Sequence, residues 1–297
     1  MLSICIPIYN CDVTELVGNL LTQIEENTVP AEIILIDDTS EVEFQKLNKM
    51  LSELDSVSYV QLEKNIGRAK IRNLFLSYTN FDYLLFLDCD SQILNAKFIE
   101  NYLAQIVKEQ KVVCGGRTYP VVLPPETHYL RWKYGLEREC LPANRRGQKP
   151  HQSFMTNNFL IQARVLTQIS FDERITEYGH EDTLFGYRLK QSNIPVTHIN
   201  NPVQHLYTES NVEFLKKTEL GLKNLIKIRK FVDNKDFDNE IKLLRVYRKA
   251  SRFGLKHVLS FAYILTGTLI LRLLKNNTGG IYLFDLYKLL FLSKQIK

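Results

Sequence analysis

Apolar runs alternate with helical patterns along the first 114 residues. Apolar runs predict strands at 2–8, 33–36, 57–62, 83–87 and 112–114; those at 33–36 and 83–87 are continuously apolar, as expected of strands covered on both faces. Between them, apolar residues recur at helical spacing, at 13–24, 41–54, 67–78 and 98–107. Strands that alternate with helices predict βαβ units, and hence an α/β fold with a mostly parallel central sheet flanked by helices.

After about Pro120 this alternation stops. Residues 140–152 are polar and basic and predict a mobile loop, whereas helical spacing returns at 181–191 and again from about 211 onward. We therefore expect two domains, an α/β domain at 1–210 and a helical C-terminal region at 211–297.

The C-terminal region is strongly basic. Residues 241–297 carry 11 Lys/Arg and one acid, Asp285, although the net charge of the chain is only +5. Such a tail predicts an anionic partner. A membrane surface and a nucleic acid both fit on charge, but no nucleic-acid recognition motif is present, so we expect no nucleic acid.

An uncharged apolar stretch of 14 residues, 258–271, lies within this tail. It is shorter than the roughly 20 apolar residues that a spanning helix needs. Two interpretations stay open: a helix that docks on an anionic membrane surface through its basic flanks, or a helical hairpin packed on the first domain.

Cysteine usage predicts a reducing compartment. The five cysteines are odd in number and show no zinc-ligand spacing, at Cys5, Cys11, Cys89, Cys114 and Cys140. We expect free thiols in the cytoplasm. Because residues 2–8 already predict a strand, we expect no signal peptide.

Two aspartates follow the apolar run at 83–87, in the segment FLDCDS. Because side chains alternate along an extended chain, Asp88 and Asp90 point the same way. Nearby carboxylates repel each other unless a cation lies between them, and oxygen ligands with open positions suit Mg²⁺ or Mn²⁺. The segment predicts a metal site where a strand ends; two exposed acids that cap a turn are the alternative.

A second pair of acids, Glu181 and Asp182, lies in the first turn of a predicted helix, after Gly179. The helix dipole favours acids at this position whether or not they have a function. In the functional interpretation, Asp182 is a general base that takes the proton of an attacking hydroxyl, and Glu181 accepts hydrogen bonds from the acceptor.

Six segments, in this order, resemble the inverting glycosyltransferases of family 2, which have the GT-A fold. They are IPIYN at 6–10, LIDDTS at 35–40, NIGRAKIRN at 65–73, FLDCDS at 86–91, TNNFLI at 156–161 and FDERITEYGHEDTLFGYRL at 171–189. The resemblance covers about 1–210. It implies that this domain binds a nucleotide sugar and carries the catalytic residues.

The resemblance also implies roles for the matched positions. The donor nucleotide would contact Pro7, Tyr9, Asn10, Asp37, Asp38, Asn65, Gly67, Arg72 and Asp88. A divalent metal, Mn²⁺ or Mg²⁺, would be bound directly by Asp90, with Asp88 beside it and His205 as a further ligand from downstream. Asp182 matches the catalytic base of the family, and Glu181 is the alternative candidate for this role. The segment NIGRAKIRN at 65–73 departs from common family members at Arg68 and Lys70. These two side chains would add phosphate contacts or face the solvent.

The implied reaction is a metal-assisted single displacement. A hexosyl or N-acetylhexosaminyl group would move from a uridine diphosphate donor to a hydroxyl of a glycan or lipid-linked glycan, in polysaccharide synthesis. We expect a cytoplasmic enzyme, peripheral on the inner face of the membrane where the basic tail docks. There are two alternatives: a nucleotidyltransferase, and a catalytically silent protein that binds nucleotide sugars or acts as a scaffold. A nucleotidyltransferase would need a Gly-rich loop with a lysine soon after the first strand, and the segment IPIYNCDVTELVGN lacks one.

Overall fold

The structure is a computed structural model that describes residues 1–206, 209–232 and 235–296. The chain divides into two compact units. The first comprises Met1–Pro120, Cys140–Thr176 and Glu181–Tyr207, and the second comprises Val121–Glu139, Glu177–His180 and Thr208–Lys297. The second unit thus includes two segments that precede Ser210 in the chain.

Ten strands form two sheets in the described part of the chain. In chain order they are β1 Leu2–Ile8, β2 Ala31–Asp37, β3 Val57–Gln61, β4 Tyr83–Leu87, β5 Ser91–Gln92, β6 Val112–Cys114, β7 Arg117–Thr118, β8 Asn158–Gln162, β9 Thr197–His198 and β10 Val203–His205. The large sheet has the order β3-β2-β1-β4-β8-β6-β9, and the small one has the order β5-β10-β7.

The large sheet is mostly parallel, as the sequence predicts. Only β8 runs antiparallel to its neighbours, β4 and β6. Both faces are buried: Ile4 and Ile6 of β1 pack in one apolar cluster, and Cys5 packs in the other with Phe86 and Phe159. Burial on both faces explains why these strands are continuously apolar in sequence.

Thirteen α-helices are described. They are α1 Thr14–Asn27, α2 Val42–Lys49, α3 Arg68–Leu74, α4 Phe98–Val107, α5 Tyr129–Tyr134, α6 Ala143–Arg146, α7 Ala163–Gln168, α8 Glu181–Gln191, α9 Asn211–Val232, α10 Lys235–Glu240, α11 Lys242–Arg252, α12 Lys256–Lys275 and α13 Gly280–Gln295. The prediction that the chain is helical from about residue 211 is confirmed for the described residues; residues 233, 234 and 297 lie outside them.

The segment 140–152 differs from its prediction as a mobile loop. It contains α6, and the buried guanidinium of Arg146 donates hydrogen bonds to four backbone carbonyl oxygens, those of Cys114, Gly115, Leu141 and Ile199. A buried arginine can hold several parts of the chain together because it has five donors in a fixed arrangement. The polar composition of the segment gives no sign of this anchor.

In the second unit, α12 and α13 form a helical hairpin. Among the described residues, α12 is the one helix that is long and apolar enough to cross a membrane by length and composition. Only 17% of the most apolar 18-residue stretch of this helix is buried inside the protein.

Candidate active site

The candidate site lies where adjacent strands of the large sheet end. Strands β2, β1 and β4 are neighbours, and the chain leaves them at Asp38, Tyr9 and Asp88 respectively. Because parallel strands end at the same edge of a sheet, three segments that are distant in sequence meet there. All the site residues predicted from the sequence belong to the first unit.

Asp90 and His205 lie side by side at this edge. Strands β5 and β10 pair antiparallel, with Ser91 opposite His205. This pairing places Oδ2 of Asp90 3.2 Å from Nδ1 of His205. Oδ1 of Asp90 and Nδ1 of His205 are both buried and have no hydrogen-bond partner among the described residues.

The electrostatics of Asp90 favour its charged form. Burial alone would raise the pKa of Asp90, but His205 and the cations of Arg117 and Arg68 outweigh it and lower the pKa. His205 is held in turn by the buried ring of Tyr119, whose edge-on contact has a centroid distance of 5.4 Å. Arg117 and Tyr119 lie in or beside a two-residue strand, β7, so no periodic pattern could have indicated them.

The Asp90–His205 pair fits part of a divalent metal site. A buried carboxylate oxygen without a hydrogen-bond partner, Oδ1 of Asp90, and a buried imidazole nitrogen that faces the same carboxylate, Nδ1 of His205, are both metal-ligand atoms. The described residues contain no group of three or more His, Cys, Asp or Glu that could hold a metal ion. The structure thus brings two of the three predicted ligands together, and Asp88 as a ligand stays a prediction.

Asp88 is paired with a buried arginine. Nη2 of Arg72 donates to Oδ1 of Asp88 at 3.0 Å, and Nη1 donates to the carbonyl oxygen of Arg68 at 3.1 Å. Arg72 also lies over the ring of Phe171, 5.8 Å from its centroid. Because Arg72 is only 2% exposed, it is not the surface arginine of a solvated helix.

Asp182 is a half-buried carboxyl at the start of α8. Burial raises its pKa, the neighbouring charge of Glu181 raises it further, and the result is a pKa of about 6. Its Oδ1 accepts hydrogen bonds from the backbone N–H and the hydroxyl of Thr183. Oδ2 accepts none from the described residues, so it is available to a substrate.

Two arginines one turn apart on α3 connect the two acidic pairs. Arg68 lies 3.5 Å from Glu181 and its charge lowers the pKa of Asp90. Arg72 binds Asp88, and its charge opposes the raised pKa of Asp182. The FLDCDS segment and the start of α8 therefore lie around one positively charged helix face.

Asp37 and Asp38 use their side chains within the protein. Oδ1 of Asp37 accepts from the N–H of Ser40 at 2.6 Å, and Oδ2 accepts from the Tyr59 hydroxyl at 2.9 Å. Burial and the contact with Asp37 raise the pKa of that hydroxyl. Both carboxylates are buried.

Asp38 fixes the turn that leads into α3. Its carboxylate accepts from the N–H groups of Ile66 and Gly67, at 2.7 and 3.1 Å, and Asn65 donates to its carbonyl oxygen. Gly67 has φ +83°, a backbone conformation that glycine adopts more easily than any other residue. These contacts position the start of α3, from which Arg68 and Arg72 project.

The end of β1 offers an exposed aromatic ring. Tyr9, between Pro7 and Asn10, is 56% exposed. Asn10 has φ +48° and is held by Ser40 and Glu41: its N–H donates to the Ser40 hydroxyl, and its Oδ1 accepts from the N–H of Glu41.

His198 also lies downstream of Asp182, but both of its ring nitrogens have contacts within the protein. Its Nδ1 lies 2.8 Å from Nη1 of Arg146, and its Nε2 lies 2.9 Å from the carbonyl oxygen of Pro150. With both ring nitrogens engaged, His198 has no nitrogen left for a metal ion.

Sequence comparison supplies a family. The profile of Glycosyl transferase family 2 matches residues 3–169. A chondroitin synthase of Pasteurella multocida (strain Pm70) is 26% identical over 226 residues, which cover 63% of this chain and 23% of the synthase. A hyaluronan synthase of Pasteurella multocida is 25% identical over 193 residues, 54% of this chain and 20% of that protein. The chain thus spans about a quarter or less of the length of these two curated relatives.

Structural comparison supplies the fold. A mannosyltransferase, PcManGT from Pyrobaculum calidifontis in complex with GDP-Man and Mn²⁺, matches with a TM-score of 0.58 at 11% identity, over 99% of this chain and 86% of that one. S. aureus TarS 1–349 in complex with UDP matches with a TM-score of 0.52 at 17% identity, over 99% of this chain and 90% of that one. The chain therefore belongs to glycosyl transferase family 2 and has the GT-A fold.

Proposed function

We propose that this chain is an inverting glycosyltransferase of polysaccharide synthesis. It transfers a hexosyl or N-acetylhexosaminyl group from a uridine diphosphate donor to a hydroxyl of a glycan or lipid-linked glycan. The observation that carries the proposal is the pair of arginines on α3, which associates Asp88 and Asp90 with Glu181 and Asp182. Relatives named as chondroitin and hyaluronan synthases support the polysaccharide product, and the UDP complex of TarS supports the donor.

Asp182 is proposed as the general base. Its pKa of about 6 leaves it deprotonated at neutral pH while keeping it basic enough to accept the proton of an attacking hydroxyl. Glu181 is the rival base, but its contact with Arg68 suits it better to hold the acceptor. With one base and no carboxylate nucleophile assigned, attack opposite the leaving group inverts the anomeric centre.

Asp90 and His205 would hold the divalent metal, with Asp88 beside them. Imidazole is a better ligand for Mn²⁺ than for Mg²⁺, which favours manganese. A cation bound there would stabilise the negative charge that develops on the leaving diphosphate. The buried Oδ1 of Asp90, which has no hydrogen-bond partner among the described residues, and the position of His205 beside the same carboxylate support this assignment.

The donor nucleotide is proposed to lie at the ends of β1 and β2. The exposed ring of Tyr9, between Pro7 and Asn10, is available to a nucleoside. Asp37 and Asp38, with their carboxylates engaged, would shape this site by holding the turn at Asn65 and Gly67 rather than by a direct side-chain contact. Arg72 would act in the same way, by orienting Asp88 near the ribose.

The test is a thermal-shift screen of nucleotide sugars on the full chain, with and without Mn²⁺. We expect a uridine diphosphate sugar to raise Tm only when the metal is present, because a ligand that binds the folded state stabilises it. Asp90→Asn should remove the metal-dependent part of the shift, and the exposed Asp55→Asn should keep it. No shift with any nucleotide sugar would overturn the proposal.

We also propose that the second unit docks on an anionic membrane surface, which would place the protein peripherally on the cytoplasmic face. The exposed side of α12 carries large apolar side chains at Val258, Phe261, Ile264, Leu265 and Leu269. Basic residues flank this row, at Arg252 and Lys256 before it and at Arg272 and Lys275 at its end. An exposed apolar helix face with basic flanks suits anionic lipid headgroups.

A further inference from the structure

A cavity of about 610 Å³ lies within the second unit. Small-molecule sites are typically about 300–1,000 Å³ in volume and mostly apolar. Apolar side chains of α9, α11 and α13 line this cavity, at Phe214, Leu222, Leu225, Val246, Phe284 and Leu289. Every lining residue belongs to the second unit, and none of them is a residue of the candidate active site.

Four cations and one carboxylate lie in the same lining, and three of the cations lie near the carboxylate or have no ion pair of their own. Nη2 of Arg138 is 3.0 Å from Oδ2 of Asp285, and Nζ of Lys288 is 2.7 Å from Oδ1 of the same residue. Lys242 at the start of α11 also lines the cavity and forms no ion pair among the described residues. One carboxylate shared among three cations leaves two positive charges in excess. A fourth cation, Lys217, is paired with Glu209.

The charged and apolar parts of the lining meet at Lys288. Its ammonium lies 4.6 Å from the ring centroid of Phe284 and 5.2 Å from that of Tyr134. Burial lowers the pKa of Lys288; Asp285 opposes this change, and the charges of Arg138 and Lys242 add to it. Crowded like charges in a partly buried position are unfavourable unless an anion compensates them.

We propose that this cavity binds a lipid monophosphate, with its hydrocarbon chain along the apolar walls and its phosphate at Arg138, Lys242 and Lys288. A phosphate monoester carries a charge of about −1.5 to −2 at neutral pH, which matches the two excess positive charges. A phosphodiester headgroup carries only one negative charge and leaves a cation uncompensated. The proposal does not depend on the glycosyltransferase function.

The first test titrates octyl phosphate into the full chain by calorimetry, in the presence of EDTA so that no metal recruits phosphate elsewhere. We expect saturable one-to-one binding. Inorganic phosphate, 1-octanol and the diester dihexanoyl phosphatidylglycerol should each bind at least about tenfold more weakly, because each lacks the chain or part of the charge. Three results would overturn the proposal. If 1-octanol binds as tightly as octyl phosphate, the cavity is merely apolar, and if the diester binds more tightly, the ligand is a membrane phospholipid. If octyl phosphate does not bind at all, the site does not exist.

Two lysines of α11 give a matched pair of variants. Lys242 lines the cavity and Lys249 does not, and both are exposed. Lys242→Gln should weaken octyl phosphate binding about fivefold to tenfold by removing a charge-assisted hydrogen bond, and Lys249→Gln should leave it unchanged. An equal loss in both variants would mean attraction by overall charge and would contradict a built site.

A cavity-filling variant tests the hydrocarbon part. Val246 lines the cavity but is 44% exposed, so Val246→Trp can enter the space without disrupting a buried core. We expect this variant to lose octyl phosphate binding while it keeps its Tm and its response to nucleotide sugars. Unchanged octyl phosphate binding by a folded Val246→Trp variant would refute the assignment.

Discussion

The carboxyl of Asp182 titrates near pH 6 because burial and the charge of Glu181 both disfavour its ionised form. A general base acts only when it is deprotonated. If Asp182 is the base, kcat/KM should be constant above about pH 7 and fall about tenfold for each pH unit below pH 6. An aspartate of ordinary pKa would keep its activity down to about pH 4. The measurement is kcat/KM against pH with a saturating metal concentration.

Glu181→Gln is the control for this pH profile. Removing the neighbouring negative charge should lower the pKa of Asp182, so the acid limb of the profile should move to lower pH. A limb that stays in place would contradict the proposed electrostatic origin of the pKa.

Replacing the proposed base separates binding from chemistry. Asp182→Asn keeps the shape of the side chain but cannot accept the proton, so kcat should fall by about 100-fold to 10,000-fold. The thermal shift produced by donor and Mn²⁺ should persist, because no proposed donor or metal contact involves Asp182. A fully active Asp182→Asn variant, together with an inactive Glu181→Gln variant, would assign the role to Glu181 instead.

At the scale of secondary-structure elements, the short helix α6 is held by one buried side chain, that of Arg146. Arg146 is buried and donates to the carbonyl oxygens of Cys114, Gly115 and Ile199, which belong to other parts of the first unit. Arg146→Met would remove these hydrogen bonds. The carbonyl oxygens of Cys114 and Gly115 would keep the backbone N–H donors of Ile199 and Asn201, whereas that of Ile199 would lose the donor that Arg146 supplies, at about 1–3 kcal/mol for a buried group left unpaired. We expect a loss of about 1–3 kcal/mol in the free energy of unfolding, measured by urea denaturation followed by circular dichroism.

Arg145→Met is the matched control on the same helix. Arg145 is exposed, and exposed substitutions typically change stability by about 0.5 kcal/mol or less. Similar losses for both variants would show that α6 tolerates no substitution of either arginine and would contradict the role given to the hydrogen bonds of Arg146.

The parallel core of the fold could be predicted from the sequence, because strands buried on both faces are continuously apolar. β1, β4 and β6 have the bounds that the apolar runs predict. The small sheet could not be predicted from the sequence, because β5 and β7 have two residues each and β10 has three. A pattern of period two needs more positions than this to be recognised.

The candidate site, too, could be predicted from the sequence only in part. Asp88 and Asp90 could be located because they follow a clear strand, and Asp182 because it begins a clear helix. The contact of Arg68 with Glu181 joins residues far apart in sequence, and local spacing carries no information about such a pair. The sequence therefore indicated the candidate acids and the two arginines, but not that Arg68 pairs with Glu181 and Arg72 with Asp88.

Charge is divided unequally along the chain, and this division argues for a surface-bound enzyme. Residues 241–297 hold 11 Lys/Arg and one acid, and α11 carries exposed cations at Lys242, Arg245, Lys249 and Arg252. The apolar row of α12 belongs to the same unit. A basic face next to exposed apolar side chains combines the two forces that bind proteins to anionic bilayers.

Vesicle sedimentation tests this docking with the full chain. We expect the chain to co-sediment with vesicles that contain phosphatidylglycerol, to be released at high salt because exposed charges are screened, and to bind phosphatidylcholine vesicles weakly. Leu265→Asp should reduce binding at least about tenfold, since it removes an exposed apolar side chain that would be buried in the bilayer and adds a charge that anionic lipid repels. Val107→Asp changes an apolar side chain of the first unit that is even more exposed, 83% against 67% for Leu265; it is the control and should bind as the unaltered chain does. Equal binding by Leu265→Asp and Val107→Asp would contradict a role of the apolar row of α12 in docking, and equal binding to both vesicle types would contradict attraction by anionic lipid.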